Sequence, residues 1–463
     1  MIIRPSSGGG LILKKFTYIA EIYGKNTLYF NGPYAFLVTS DPVTIKDILT
    51  SKLCFDKPDV AYAGIKHSIG KGLIYVAGEQ WYHDRKILNG AFKSAKLQAL
   101  LPTFNRRIGG LLHNIDRAID SGSEVPLQSY CMNTQFSWHW QFAIKSKVET
   151  RSSSYLPAAC TKQLAGLCVS KYISEMMSNV IYLIGFVRAL ARRTIFKEAA
   201  GTIEDALDLL AESLNNLTEL RGSDPSYIES TATVVDTLEK AVHRDAITRE
   251  NAKTHLMHLL SGAFETSPKT LYYTFMLLAM HPDIQQLAYE EICDIFPADD
   301  DGDFDVNYKH LNQLVYLDMI INESLRLWPV VPQVGRQVSG SDLKLSNGVV
   351  LPKGLRIMID IYSLHRSQEI WGADAHKFNP DNFLPHNKDS RHQYSYIPFT
   401  KGLRNCIGMR YSLIVMKIVL ARLLKRYEFS TTAKIEDLVF ENHVSLYLTN
   451  TPELKILRRK KNA

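Results

Sequence analysis

Phe399-Thr400-Lys401-Gly402-Leu403-Arg404-Asn405-Cys406-Ile407-Gly408 is the stretch whose residue types constrain this chain most. A cysteine serves as a metal ligand or nucleophile as the thiolate, so its surroundings must favour the anion. The run after it predicts a helix opening at Cys406 and continuing from Ile407 to about Arg426, and a helix N-terminus favours negative charge. Gly402 suits a position of positive φ or close main-chain approach. Phe399 can cover the sulfur and keep water out. Arg404 is a permanent cation suited to a carboxylate partner. Taken alone, the stretch also reads as a buried cysteine in a glycine-containing turn, since free cysteine usually behaves as a small hydrophobe.

The 463 residues are 46% apolar and 22% charged, which fits a globular protein with a large core. The net charge of +7 is a modest excess and calls for no nucleic-acid partner. Arg458-Arg459-Lys460-Lys461 forms the one long run of like charge and reads as a solvated tail. Cysteines 54, 131, 160, 168, 293 and 406 show no CxxC pair and no disulfide framework, which points to a reducing compartment. Near the start, the apolar patch Leu11-Ile12-Leu13 ends at Lys14-Lys15, far short of the ~20 residues a membrane span needs.

Thr27-Leu28-Tyr29-Phe30 and Ala35-Phe36-Leu37-Val38 flank Asn31-Gly32-Pro33 and predict a hairpin. Asp41-Pro42 opens a helix from Val43 to Ser51. Residues 79 to 330 are mostly helical, with a start at His281-Pro282-Asp283 for a helix reaching about Ile295. The acidic stretch Asp299 to Asp305 reads as a solvated loop, because no glutamate closes a calcium loop there. Residues 340 to 400 are turn-rich with short strands at 348–351 and 355–359. Asn216 and Asn322 fit glycosylation sequons that a cytosol-facing protein would not use.

Four further constellations accompany the cysteine. Glu323 and Arg326 lie at i and i+3 on the predicted helix Leu314 to Trp328 and share a face. Gly262-Ala263-Phe264-Glu265-Thr266-Ser267 places a hydroxyl beside an acid, a pair able to relay protons, with Pro268 expected to kink or open the helix. Trp81 and Arg85 are one turn apart. Arg336 follows Leu327-Trp328-Pro329-Val330-Val331-Pro332.

Together these motifs resemble the cytochrome P450 family, over roughly residues 17 to 452 and weakly between about 127 and 169. The wording is most similar to insect microsomal members near the fatty-acid ω-hydroxylase branch. The resemblance implies a mainly α fold with a minor β part in small antiparallel sheets, as one heme-thiolate monooxygenase domain over residues 1–463. It implies heme b with Cys406 as axial ligand and metal-binding residue. Phe399, Gly402 and Gly408 would shape the cysteine loop, and Trp81, Arg85, Arg336 and Arg404 would contact the heme propionates. Thr266 and Glu265 would deliver protons to dioxygen, in a groove that Ala263 narrows where the family has glycine. Gly262 stands where some ω-hydroxylases carry a heme-esterifying glutamate, so non-covalent heme is expected. In the family Glu323 and Arg326 lock to the arginine of a Pro-Glu-Arg-Phe segment; here that position is Asn382, and the lock is expected in neutral form. Members of this kind carry an N-terminal membrane anchor and hinge, and the expectation is that the start of this chain is missing.

The implied activity is insertion of one oxygen atom from O2 into an apolar small molecule: a fatty acid, hormone or xenobiotic. Electrons would come from NADPH-cytochrome P450 reductase, with cytochrome b5 as an optional second donor, at the cytosolic face of the endoplasmic reticulum membrane. Lys401 and Arg404 would help dock an acidic partner. Segments 58–75, 330–335 and 443–449 would line the pocket. Two rival readings remain at this point: an O2-independent heme-thiolate isomerase or dehydratase, and a damaged or mis-spliced heme protein without turnover.

Overall fold

The computed structural model describes residues 17–131, 233–296, 303–442 and 445–459, apart from positions 19, 32, 60, 63–65 and 67–69. Nearly all of the weakly matching 127–169 segment, and the Asn216 sequon, lie outside these residues. The helices that position the site are α1 (Pro42–Thr50), α2 (Gly78–Asn89), α3 (Leu101–Asp120), α4 (Val234–His243), α5 (Arg249–Met280), α6 (Pro282–Ile295), α7 (Val315–Leu327) and α8 (Met409–Arg426).

The hairpin forms where the alternation predicts it. Strands β1 (Asn26–Asn31) and β2 (Tyr34–Thr39) pair antiparallel with Leu28 opposite Leu37. They extend into a four-stranded sheet ordered β1-β2-β6-β3, with β3 at Gln333–Gln337 and β6 at Arg356–Asp360. The β2–β6 pair is parallel, so this sheet is mixed where small antiparallel sheets were expected. The crossover between them spans most of the chain, a separation that local pattern does not reveal. The other sheets are antiparallel pairs: β4 (Leu343–Lys344) with β5 (Val350–Leu351), β7 (Tyr427–Ser430) with β10 (Lys455–Arg458), and β8 (Phe440–Asn442) with β9 (Leu446–Leu448). Helix α1 starts one residue earlier than expected, because the Asp41 side chain caps it by accepting from the Thr44 N–H at 2.9 Å.

Helix α5 runs through the core and packs against α4, α6, α7, α8 and β7. Pro268 does not end it. A mid-helix proline costs roughly 3 kcal/mol. Just beyond it Leu271, Phe275, Met276, Leu277 and Leu278 have no exposed surface. Each contributes about 1.5–3 kcal/mol on burial, enough to hold the segment helical. The C-terminal run is not simply solvated either: Arg458 in β10 pairs with Asp116 and Asp120 of α3, and Arg459 Nε donates to Leu424 O at 2.9 Å.

Candidate active site

The cysteine loop is built by backbone bonds and one obligatory glycine. The Cys406 N–H donates to Phe399 O at 2.9 Å, and Asn405 N–H donates to Gly402 O at 3.2 Å. Gly402 has φ +75°, and a Cβ there would lie 2.2 Å from the Leu49 carbonyl oxygen at the end of α1. Both conditions exclude a side chain. Helix α8 begins at Met409 with Gly408 as its N-cap, three residues later than expected. The helix N-terminus still reaches the sulfur. Burial raises the Cys406 pKa, while the Gly408 N–H, Arg85 and the Met409 N–H pull it back. The cysteine is nonetheless exposed to solvent. A Cβ on Gly408 would have one neighbour within 4 Å, the Cys406 sulfur at 3.9 Å, so the space beside the sulfur is open there.

Beside the loop lies a group of buried cations. Arg404 stacks over Phe55 at 4.6 Å and Trp81 at 4.8 Å, and its Nη2 donates to Val76 O. Its Nε and Nη1 are buried and have no protein partner among the described residues. Arg336 is 2% exposed and gives one Nη1 bond to Gly335 O at 2.8 Å. The Lys57 ammonium sits 4.4 Å over the Tyr62 ring. Burial, then Arg336 and Arg404, push Lys57 well below the ordinary lysine value. Burial, then Arg336, lower Arg404 to about 10. Asp56, at 3.9 Å from Arg404, is the one carboxylate paired with this group among the described residues. Buried cations without counterions are costly, so the arrangement fits a ligand bearing carboxylates. Lys57 was not legible in the sequence, where it stands in an ordinary turn. Arg404 is too buried to dock a partner protein, contrary to expectation: its side chain is 4% exposed.

Arg85 bonds the cysteine loop directly. Its Nη1 and Nη2 donate to Asn405 O and Oδ1 at 2.8 and 2.9 Å, and its Nε donates to Asn89 Oδ1 at 2.8 Å. Two of its donors thus grip the residue before the cysteine. On the same helix Asp84 is 2% exposed and sits 3.0 Å from His255 Nε2 of α5, a buried pair that sequence reasoning missed.

On helix α5, Thr266 Oγ1 donates to Gly262 O at 2.7 Å. A Cβ on Gly262 would meet nothing within 4 Å, so the groove is open there. Glu265 does not bond Thr266; its carboxylate is taken by Lys269 and Ser445. Neither partner was anticipated.

The Glu323–Arg326 lock is fully buried, with Nε–Oε2 and Nη2–Oε1 distances of 2.7 Å. Arg326 spends its other donors on the carbonyls of His365, Ala375 and Lys377. Glu323 Oε1 also accepts from Asn379 N at 2.9 Å and Asn382 Nδ2 at 3.1 Å. Asn382 therefore keeps the contact without a charge. Arg391 adds a cation nearby: its Nη2 donates to Asn382 O and its guanidinium stacks 4.2 Å from the Trp371 ring centroid.

The family model described as Cytochrome P450 matches residues 5–457. The chain is 38% identical over 460 residues to "Probable cytochrome P450 313a4" of Drosophila melanogaster, covering 97% of this chain and 89% of that relative. It is 33% identical over 454 residues to "Probable cytochrome P450 313a3" of the same organism, covering 96% of this chain and 88% of the relative. It is 25% identical over 443 residues to "Probable cytochrome P450 4ac2", again from Drosophila melanogaster, covering 95% and 84%. A cysteine loop, an open groove and a cation cluster fitted to carboxylates coincide with this match, and the chain belongs to the cytochrome P450 family of heme-thiolate monooxygenases.

Proposed function

We propose that Cys406 would ligate the iron of heme b through its thiolate and that Lys57, Arg336 and Arg404 would hold the heme carboxylates against Trp81. The unpaired Nε and Nη1 of buried Arg404, next to the cysteine loop, carry this reading. When bound, the thiolate-ligated heme supplies activation of O2 for insertion of one atom into a substrate C–H bond, the other leaving as water. Phe399 and Gly402 shape the loop that presents the sulfur, and Gly408 leaves room for a flat ligand beside it. Arg85 holds Asn405 and, through it, the position of Cys406. Thr266 can turn its hydroxyl from the Gly262 carbonyl toward the groove and pass a proton there, resupplied by Glu265. The substrate is an apolar small molecule. Electrons come from NADPH-cytochrome P450 reductase, with cytochrome b5 as an optional donor. Its place is the cytosolic face of the endoplasmic reticulum membrane, although no described helix is long and apolar enough to cross a membrane.

Carbon monoxide added to the reduced, heme-loaded protein tests the ligand assignment. The expected result is the strongly red-shifted Soret band of thiolate ligation, lost in Cys406→Ser. An ordinary band position in the unaltered protein would overturn it.

A further inference from the structure

Glu265, Lys269 and Ser445 close a ring of hydrogen bonds on one flank of α5. Lys269 Nζ bonds Glu265 Oε1 and donates to Ser445 Oγ at 2.7 Å; Ser445 Oγ donates to Glu265 Oε1 at 2.8 Å. The Lys269 side chain is 4% exposed, and its ammonium also faces the Tyr447 ring at 5.2 Å. Two neutral bonds fasten the same turn: Tyr273 Oη of α5 donates to Leu446 O at 2.8 Å, and the Leu446 N–H donates to Val330 O at 2.7 Å. The start of β9 is thus bonded to the groove helix and to the chain leaving α7.

An ammonium at this depth is tolerated only with partners, whereas a methionine would fill the same volume without that demand. Lys269 lies one turn from Glu265 on the same face, so it competes directly with Thr266 for the carboxylate. We infer that Lys269 is a positioning residue for Glu265, holding its carboxylate on Ser445 just before β9 and thereby controlling proton supply at Thr266. This rests on the reading of Glu265 and Thr266 as the proton-delivering pair.

The test uses the heme-loaded full chain with NADPH and the reductase. It measures hydrogen peroxide released per NADPH oxidised, alongside amide hydrogen exchange over Leu446–Leu448. Lys269→Met is expected to raise the peroxide yield several-fold, as is Glu265→Gln, and to speed exchange over Leu446–Leu448 at least tenfold. Lys269→Arg restores the ion pair and is expected to recover most of both, and Ser445→Ala is expected to give a smaller shift of the same sign. A wild-type peroxide yield in Lys269→Met, with a raised yield in Glu265→Gln, overturns this inference alone. Faster exchange without a change in yield does the same, leaving the lysine a structural prop. Unchanged yields in both Glu265→Gln and Thr266→Ala overturn the underlying reading of the groove. If Lys269→Met loses heme, Ser445→Ala and Lys269→Arg carry the test.

Discussion

Asn382 Nδ2 donates to Glu323 Oε1 at 3.1 Å across 59 residues of sequence. Removing it leaves Glu323 with Arg326 and the Asn379 N–H, so Asn382→Ala is expected to cost about 1.5–3 kcal/mol, the range for a hydrogen bond to a charged group. Glu323→Ala leaves a fully buried guanidinium without its counterion and is expected to cost about 3–5 kcal/mol. Denaturant unfolding followed by circular dichroism separates the two; an Asn382→Ala variant as stable as the parent would show that Asn382 takes no part in the lock.

Arg391 stacks 4.2 Å from the Trp371 ring centroid and holds the carbonyl of Asn382. Arg391→Lys keeps the charge but loses the planar fork, so it is expected to cost nearly as much as Arg391→Ala, about 1–2 kcal/mol. Unfolding midpoints of the two variants decide this, and a lysine variant as stable as the parent would reduce the role of Arg391 to charge alone.

Gly402→Ala places a Cβ 2.2 Å from Leu49 O at φ +75°. The left-handed conformation alone costs about 1–2 kcal/mol, and the clash with backbone forces the loop or α1 to move. The expected outcome is loss of at least half of the bound heme, read as the ratio of heme to protein absorbance after purification.

Lys57→Met removes a cation that burial and two arginines already disfavour. Without heme the variant is expected to be as stable as the parent or more so. With heme it loses a charge-assisted bond worth about 1.5–3 kcal/mol, so heme transfer to an excess of apomyoglobin is expected to quicken roughly tenfold or more. An unchanged transfer rate would place the heme carboxylates away from Lys57.

The Asp84 carboxyl sits below its ordinary value: burial raises its pKa, but bonds from His255, His83 and Gln80 outweigh that. A carboxylate with a depressed folded-state pKa contributes stability above its unfolded value near ~3.9, and the contribution disappears as pH falls through the folded value. Asp84→Asn is therefore expected to cost about 2 kcal/mol at neutral pH, with the gap to the parent closing below about pH 3.9. A gap independent of pH would show that Asp84 acts through packing alone.

The mainly helical fold, the hairpin, the α7 pair Glu323–Arg326 and the cysteine loop were all legible in the sequence, for a shared reason. Each depends on neighbours within a turn or two, where periodicity, caps and φ-permissive glycines act directly. Even there the boundaries slipped, as where α8 begins at Met409 rather than at Cys406. The tertiary structure alone decided the partners of charged groups: Lys57 beside Arg336 and Arg404, Arg85 on Asn405, Glu265 with Lys269 and Ser445, Asp84 with His255. A side chain's charge is written in the sequence, but its counterion is whichever group packing brings within a few ångströms, and these partners mostly come from segments separated by long stretches of chain.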